Sequence, residues 1–120
     1  MAFLRILDEL LTTTDGSIAA LFLDYEGETV ELLSHRDIAR DDLKIIGAYQ
    51  GIFLMQLKRV CTHLDAGSPV RFKVEFAETK VLSYDLRDGY YVVLVMETES
   101  NEGLAWHRLA MCREKLIAEM

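Results

Sequence analysis

Seven consecutive apolar residues, YYVVLVM at positions 90–96, constrain the fold more than any other part of the sequence. The run is too short for a membrane-spanning helix, which needs roughly 20 apolar residues, and its Val and Tyr content favours a strand. A strand that is apolar at every position, and not only at alternate positions, is buried on both faces. The sequence therefore predicts a central strand in a sheet that helices cover on both sides.

Four further segments have strand patterns. The segments SIAALFLDY (17–25) and TVELLS (29–34) flank a turn that contains Gly27, which predicts a hairpin. Residues 70–76 alternate apolar with mostly charged side chains, as a strand with one buried face does. VLSYDL (81–86) follows a turn at 78–80, and a second turn at 87–89 leads into the central run. The short turns predict antiparallel neighbours.

Three segments have helical periodicity. Residues 3–11 form a short amphipathic pattern, and Ser100 or Asn101 can cap a last helix with Trp106 on its flank. The longest pattern begins at Arg40 and ends at Leu64. The stripe that we expect to pack on the sheet consists of Leu43, Ile46, Tyr49, Phe53, Leu57, Val60 and Leu64.

The order αββαβββα predicts an α+β fold in which a five-stranded antiparallel sheet lies between helices. A length of 120 residues fits a single domain over 1–120.

The charge balance excludes several classes of partner. A formal net charge of −7 and a pI near 4.9 argue against nucleic-acid binding, which needs a concentrated basic surface.

The N-terminus has no signal-peptide pattern and no apolar run could insert into a bilayer, so we expect a cytoplasmic protein. Cys61 and Cys112 both lie in apolar helical patterns, where we expect reduced thiols.

The long helix is too hydrophobic to face a single core. A helix that lies on a sheet needs an apolar arc of about 100°, and this one has a second apolar row beyond its predicted core stripe. Gly47 and Gly51 each cost roughly 0.5 to 1 kcal/mol inside a helix, and they allow close approach either by another chain or by the domain's own sheet. The alternating strand after the helix can lie at a sheet edge, which a second copy would cover. We therefore predict a homodimer interface formed by Ile45, Gly47, Ala48, Gly51, Ile52, Met55, Arg71, Lys73 and Glu75.

No residues suggest catalysis. The three histidines are far apart in the sequence, and Cys61 with His63 lacks the other ligands of a zinc site. The glycines form no phosphate-binding loop, and the serines have no nucleophile motif. We therefore predict no catalytic residue, no metal ligand, no cofactor and no enzymatic activity.

The element order, together with the turn at 24–27 and the residues Asn101, Gly103, Leu104 and Ala105, resembles the Roadblock family of dynein light-chain-like proteins. The resemblance covers nearly the whole chain and implies a profilin-like sandwich that dimerises through its second helix and third strand. Bacterial and archaeal members typically partner Ras-like small GTPases, and some, such as the gliding-motility activator, accelerate GTP hydrolysis. Eukaryotic relatives serve as dynein or signalling scaffold subunits.

The resemblance therefore implies a homodimeric regulator or scaffold for a Ras-like small GTPase. The activators in this family look as if they reposition the GTPase's own catalytic residues, so the resemblance carries over no arginine finger to this chain. The alternative is a small-ligand sensory module with a profilin-like or PAS-like fold. Such a module would need an internal cavity, whereas we expect large side chains to fill the space beside the sheet, namely Phe22, Phe53, Phe72, Phe76 and Tyr91.

Overall fold

The computed structural model describes residues 2–120 and contains three helices and one five-stranded sheet. The order of the elements is αββαβββα, as predicted. Their bounds are α1 Ala2–Thr12, β1 Ser17–Leu23, β2 Thr29–Ser34, α2 Arg40–Leu64, β3 Arg71–Glu75, β4 Thr79–Asp85, β5 Tyr91–Glu97 and α3 Glu102–Glu119.

The sheet is antiparallel throughout, with the strand order β2-β1-β5-β4-β3. The apolar run forms β5 at the centre, where Val93 pairs with Leu21 on one side and with Ser83 on the other. Its residues from Tyr91 to Met96 are all buried. The prediction of a central strand covered on both faces is confirmed, and β2 and β3 are the two edges of the sheet.

The helices divide between the two faces of the sheet. The Phe3 ring of α1 lies 4.8 Å from that of Phe22 in β1, and the Trp106 ring of α3 lies 6.1 Å from that of Tyr84 in β4. These contacts place α1 and α3 on one face. The second helix, α2, covers the other face alone, so this helix must shield its half of the core without help from a neighbouring helix.

The stripe that α2 turns toward the sheet differs from the predicted one. The buried residues of α2 are Leu43, Gly47, Gln50 and Leu54, at spacings of four, three and four. Of the predicted stripe only Leu43 is buried and Ile46 is half-buried. The residues that the sequence placed in the core but the structure exposes are Tyr49, Phe53, Leu57, Val60 and Leu64. The prediction failed because two of the sheet-facing residues are a glycine and a glutamine, which hydrophobic periodicity does not count.

Gly47 and Gly51 face the sheet of their own subunit. A Cβ atom added to Gly47 would lie 2.8 Å from Leu23 Cδ2, and one added to Gly51 would lie 2.4 Å from the Tyr91 hydroxyl. Both distances are too short for a side chain. Of the two explanations for these glycines, the structure supports close packing within the subunit.

The edge strand β3 is less buried than its alternation predicts. Phe72 and Val74 are half-buried, while Val70 is 57% exposed and Phe76 is 51% exposed. Phe72 pairs with Ser83 and Val74 with Val81, so their side chains lie on the α2 face of the sheet. The expected buried face is therefore only partly covered, because α2 lies mainly over β1, β2 and β5.

Candidate interaction surfaces

Two rows of apolar side chains remain exposed on α2. We call the first the lateral row, whose members are 37 to 69% exposed, and it consists of Phe53, Leu57, Val60 and Leu64. We call the second the outer row, and it consists of Ile45, Ala48, Ile52 and Met55. At 3.6 residues per turn the two rows lie on different sides of the helix, so one flat partner surface could not cover both.

The lateral row lies on the flank of α2 next to Gln50. The Gln50 side-chain oxygen accepts a 3.1 Å hydrogen bond from Ser83 of β4. Phe53 and Leu57 follow Gln50 by three and seven residues, which places them on the same flank. The Tyr49 ring extends the row, at 6.5 Å from the ring of Phe53.

The edge strand also exposes apolar side chains. Phe72, Val74 and Phe76 lie on the face of the sheet that α2 covers, where Phe72 and Val74 are half-buried and Phe76 is exposed. Within residues 2–120, one edge of β3 has no neighbouring strand, so its backbone N–H and C=O groups on that side are free to pair. The strand therefore adds unpaired backbone groups to the exposed apolar side chains on this side of the sheet.

Side chains on the opposite face of β3 contact α3. The Arg71 guanidinium lies 4.5 Å from the centre of the Trp106 ring, and the Lys73 ammonium donates a 2.8 Å hydrogen bond to Glu102. The bond from Lys73, more than the one from Trp106 Nε1, holds the pKa of the Glu102 carboxyl below its usual value. These contacts hold the edge strand in place while leaving its outer edge open.

The outer row borders a cleft at the other side of α2. A Cβ atom added to Gly27, in the turn between β1 and β2, would lie 3.6 Å from the Cα atom of Ala48. The cleft has a volume of about 410 Å³ and lies between α2 and the turns that contain Gly27 and Gly89. Lys58 and Arg59 form its basic end.

The two ends of α2 have opposite charges. Asp41 and Asp42 lie in the exposed first turn, as predicted, and Arg59 and His63 are exposed near the other end. The Lys58 ammonium is already engaged, since it lies 3.3 Å from the Asp85 carboxylate of β4. Arg59, which forms no ion pair within residues 2–120, supplies a free basic charge near this end of the helix.

The residues predicted for the interface lie in three places. Ile45, Ile52 and Met55 are about half exposed and Ala48 is half-buried, all on the outer row. The two glycines face the sheet, as described above. The side chains of β3 in the prediction, Arg71, Lys73 and Glu75, are exposed on the α3 side of the edge strand. The sequence did not identify the lateral row as surface, because it counted these residues as core.

Two buried groups have raised pKa values. Burial, followed by the negative charge of Asp24, raises the pKa of Tyr91 to about 12, and burial raises the pKa of the Cys112 thiol to about 12. Each is therefore held in its protonated form at neutral pH, and Cys61 and Cys112 are both free thiols.

Within residues 2–120, no three His, Cys, Asp or Glu side chains are grouped in a way that could hold a metal ion. No helix in this described part of the chain is long and apolar enough to cross a membrane.

Comparison with solved structures identifies the fold. A Roadblock/LC7 domain from Streptomyces avermitilis superimposes with a TM-score of 0.85 at 13% identity, covering 94% of this chain and 92% of that one. Myxococcus xanthus MglB superimposes with a TM-score of 0.85 at 10% identity, covering 97% and 92%. MglC from the same organism gives a TM-score of 0.70 at 21% identity and covers both chains completely. No family model matches the sequence, and no curated protein matches it. The chain has the Roadblock fold, and at these identities the likeness extends to the fold alone.

Proposed function

We propose that this Roadblock-fold chain is a non-enzymatic, homodimeric regulator of a Ras-like small GTPase. The observation on which the proposal depends is that the exposed lateral row of α2 and the open edge strand β3 present apolar side chains on the same side of the sheet. Exposed apolar patches of this kind, bordered by polar residues, mark protein interfaces in soluble proteins. Binding is the activity that such a surface supports.

A second copy is the occupant that fits this surface best. Antiparallel pairing of β3 with its symmetry mate would satisfy the free backbone groups of both strands and join two sheets into one. In a register centred on Val74, Phe72 lies opposite Phe76 of the partner subunit on the apolar face. Lys73 lies opposite Glu75 of the partner subunit on the other face, so unlike charges meet. The lateral rows of the two α2 helices would then cover each other above the joined sheet.

The homodimer can be tested by replacing Val74 with arginine. Because Val74 faces its own symmetry mate in this register, Val74→Arg places two positive charges together in an apolar contact. We expect a folded monomer by sedimentation velocity, with an unchanged far-UV circular dichroism spectrum. The matched control is Val30→Arg on the opposite edge strand β2, where Val30 is 42% exposed. A dimer that persists in Val74→Arg contradicts the proposed interface.

The GTPase partner is supported by the fold and by the surface that the homodimer leaves free. The Roadblock fold is shared with MglB and MglC, and the outer row and its cleft remain exposed when the lateral row is covered. The test is affinity capture from the native host with GDP or a non-hydrolysable GTP analogue present, followed by purification of each recovered GTPase. Direct binding and faster GTP hydrolysis with the purified pair would establish an activator, and binding alone a scaffold. Repeated failure to recover any small GTPase would contradict the proposal.

The cleft of about 410 Å³ supports the second candidate function, a small-ligand sensory module. Its volume falls within the range of ligand sites, about 300–1,000 Å³, and its residues combine apolar side chains with Lys58 and Arg59. The cleft, however, opens to solvent along α2. The side chains of Phe22 and Tyr91 are buried beside the sheet and fill space there, as predicted. Phe53 and Phe76 are exposed and Phe72 is half-buried, so these three do not fill it. Saturable binding of a small carboxylic acid in calorimetry, lost in Arg59→Ala, would favour this function.

A further inference from the structure

The second edge strand of the sheet, β2, has an open backbone edge. The His35 amide donates a 2.8 Å hydrogen bond to the Ile18 carbonyl oxygen, next to the paired part of β1. Because the backbone groups of alternate residues point to opposite edges of a strand, those of Leu32 and Ser34 point away from β1. Within residues 2–120, no further strand lies beyond β2. This edge can therefore accept one more strand.

A β-bulge lies near the start of β2. The register of β1 against β2 shifts between Phe22, which pairs with Glu31, and the next residue, which pairs with Thr29. Val30 is therefore an extra residue without a partner in β1. Bulges of this kind re-aim a side chain at the edge of a sheet. The Val30 side chain is 42% exposed and lines a groove that also contains Phe3 of α1, so it points to the face that α1 and α3 cover.

The groove beside Val30 has aromatic walls, and we call it the aromatic groove. It has a volume of about 400 Å³ and lies between the edge strand and the residues around the end of α3. The Phe22 ring lies 4.8 Å from the Phe3 ring and 5.8 Å from the Tyr90 ring. A groove of this size and composition suits a large apolar side chain.

A second groove lies further along the same edge. It has a volume of about 360 Å³ and is lined by Leu33 of β2 and by three residues of α1, namely Leu4, Arg5 and Asp8. Leu33 pairs with Ala20, two positions from Phe22, so its side chain lies on the same face as the aromatic groove. Val30 and Leu33 are three residues apart, or roughly 10 Å in a strand. One extended segment can therefore reach both grooves.

The charges at these grooves are mainly acidic. Four carboxylates and two guanidinium groups line the grooves or lie between them, namely those of Asp8, Glu31, Asp88, Glu119, Arg5 and Arg87. Arg87 is already engaged, since it donates a 3.2 Å hydrogen bond to the Met120 carbonyl oxygen and lies 4.0 Å from the Asp88 carboxylate. Within residues 2–120, the other three carboxylates form no ion pair. This edge therefore favours a basic partner and repels a second copy, which would bring the same acidic charges.

We propose that the edge of β2 binds an extended basic segment of another protein, which joins the sheet as a sixth strand. The segment pairs with the free backbone groups of Leu32 and Ser34, and its apolar side chains on one face enter the two grooves. Its Lys or Arg side chains meet the carboxylates around the grooves. This binding site goes beyond the proposed function, because it uses neither β3 nor the exposed rows of α2.

Peptide selection supplies the probes for a direct test. Random peptides about ten residues long are displayed and selected on the immobilised protein, and the enriched sequences are synthesised with a fluorophore for anisotropy titrations. We expect sequences that alternate apolar residues with Lys or Arg, and binding that weakens as the salt concentration rises. A selection that enriches no peptide, or that enriches acidic peptides, overturns the proposal.

Two variants of β2 locate the bound peptide. Val30→Arg places a positive charge in the aromatic groove and should weaken binding by about tenfold or more. Glu31→Lys reverses a charge between the grooves and should weaken it by about threefold or more. Circular dichroism verifies that both variants fold. If neither folded variant binds more weakly than the wild type, the peptide lies elsewhere and the proposal is overturned.

The matched controls make the same two substitutions at the opposite edge of the sheet. They are Val74→Arg in β3 and Glu78→Lys in the turn that follows it. Both variants should bind the peptide like the wild type. Equal weakening by Glu78→Lys and Glu31→Lys overturns the proposal, because the effect would then be one of net charge.

Methylation of the peptide backbone tests for strand addition. A strand that pairs along one edge uses only every second amide for that partner. Methylation of one alternate set of amide nitrogens should therefore weaken binding by about tenfold or more, and methylation of the other set by about twofold or less. Equal weakening by both sets would show that the peptide does not pair as a strand, which overturns the proposal.

The outcome can be separated from that of the proposed homodimer. If both proposals hold, Val74→Arg is a monomer that binds the peptide, and Val30→Arg is a dimer that does not. If Val74→Arg stays dimeric but still binds the peptide, the edge-strand homodimer is wrong and the peptide site stands. If Val74→Arg stays dimeric and adding Val30→Arg gives monomers, a second copy occupies β2 and the peptide proposal is overturned.

Discussion

The hydroxyl of Tyr91 donates a 2.9 Å hydrogen bond to the carbonyl oxygen of Gly47, joining the first residue of the central strand to the middle of α2. Tyr91 is 2% exposed, and its ring occupies the space that a side chain at Gly51 would need. The two glycines therefore let α2 lie close to the sheet. A helix held this close has only a narrow inner face, which leaves its lateral and outer rows largely exposed.

We expect Gly51→Ala to destabilise the subunit. The added methyl group would lie 2.4 Å from the Tyr91 hydroxyl and must displace it from Gly47, at a cost of about 1–3 kcal/mol that exceeds the helix-propensity gain of alanine. The control is Gly103→Ala in α3, where the nearest atom to an added Cβ is 3.5 Å away. Urea unfolding should show a lower midpoint for the first variant and an equal or higher midpoint for the second. Equal midpoints in both variants would show that Tyr91 does not restrict position 51.

The buried hydrogen bond between Ser83 and Gln50 gives a second prediction. Both side chains are at most 2% exposed, so removing one partner leaves the other buried without a hydrogen bond. We expect Ser83→Ala to lower the free energy of unfolding by about 1–3 kcal/mol. Adding Gln50→Leu removes the amide group that has lost its hydrogen bond and keeps a similar side-chain volume. The double variant should therefore recover part of the lost free energy of unfolding. A double variant less stable than Ser83→Ala would contradict this account.

The raised pKa values of Tyr91 and Cys112 predict a loss of stability in alkali. In the folded chain both groups keep their protons to about pH 12, whereas the unfolded chain releases them near their ordinary pKa values of 10.0 and 9.0. Between these limits the folded state binds more protons, so stability is fully present below about pH 9 and falls as the pH rises. From pH 10 to 11 the wild type should lose up to about 1 kcal/mol more than Tyr91→Phe. Tyr25→Phe, at an exposed tyrosine, should follow the wild type.

The sequence predicted the sheet, the element order and the central strand, because these depend on strong local patterns. The run at 90–96 has no polar interruption, and Asn101 caps α3 as predicted by accepting a 3.0 Å hydrogen bond from the Leu104 amide. These features involve residues close together in the chain. Their physical causes can be identified without knowing what lies across the core.

The orientation of α2 could not be predicted in the same way. Hydrophobic periodicity favoured the larger apolar side chains as the core stripe, although Gly47 and Gln50 occupy the inner face. The reason lies in residues distant in sequence: the Tyr91 ring needs the space of Gly51, and Ser83 supplies the hydrogen bond for Gln50. The sequence correctly indicated an excess of apolar surface on α2. Which part of that surface is exposed depends on these tertiary contacts.

The last prediction compares the same substitution, leucine to aspartate, on the inner face of α2 and in its lateral row. Leu54 is 4% exposed and packs against the sheet, whereas Leu57, less than one turn away, is 37% exposed in the lateral row. Leu54→Asp buries an unpaired charge and should leave the chain unfolded, with a cost of about 4 kcal/mol or more. Leu57→Asp should keep the circular dichroism spectrum of the wild type and sediment as a monomer, because its charge would lie only in the proposed contact between subunits. If Leu57→Asp instead unfolds the chain, the subunit depends on its dimer for stability. A folded, dimeric Leu57→Asp variant would place the interface elsewhere.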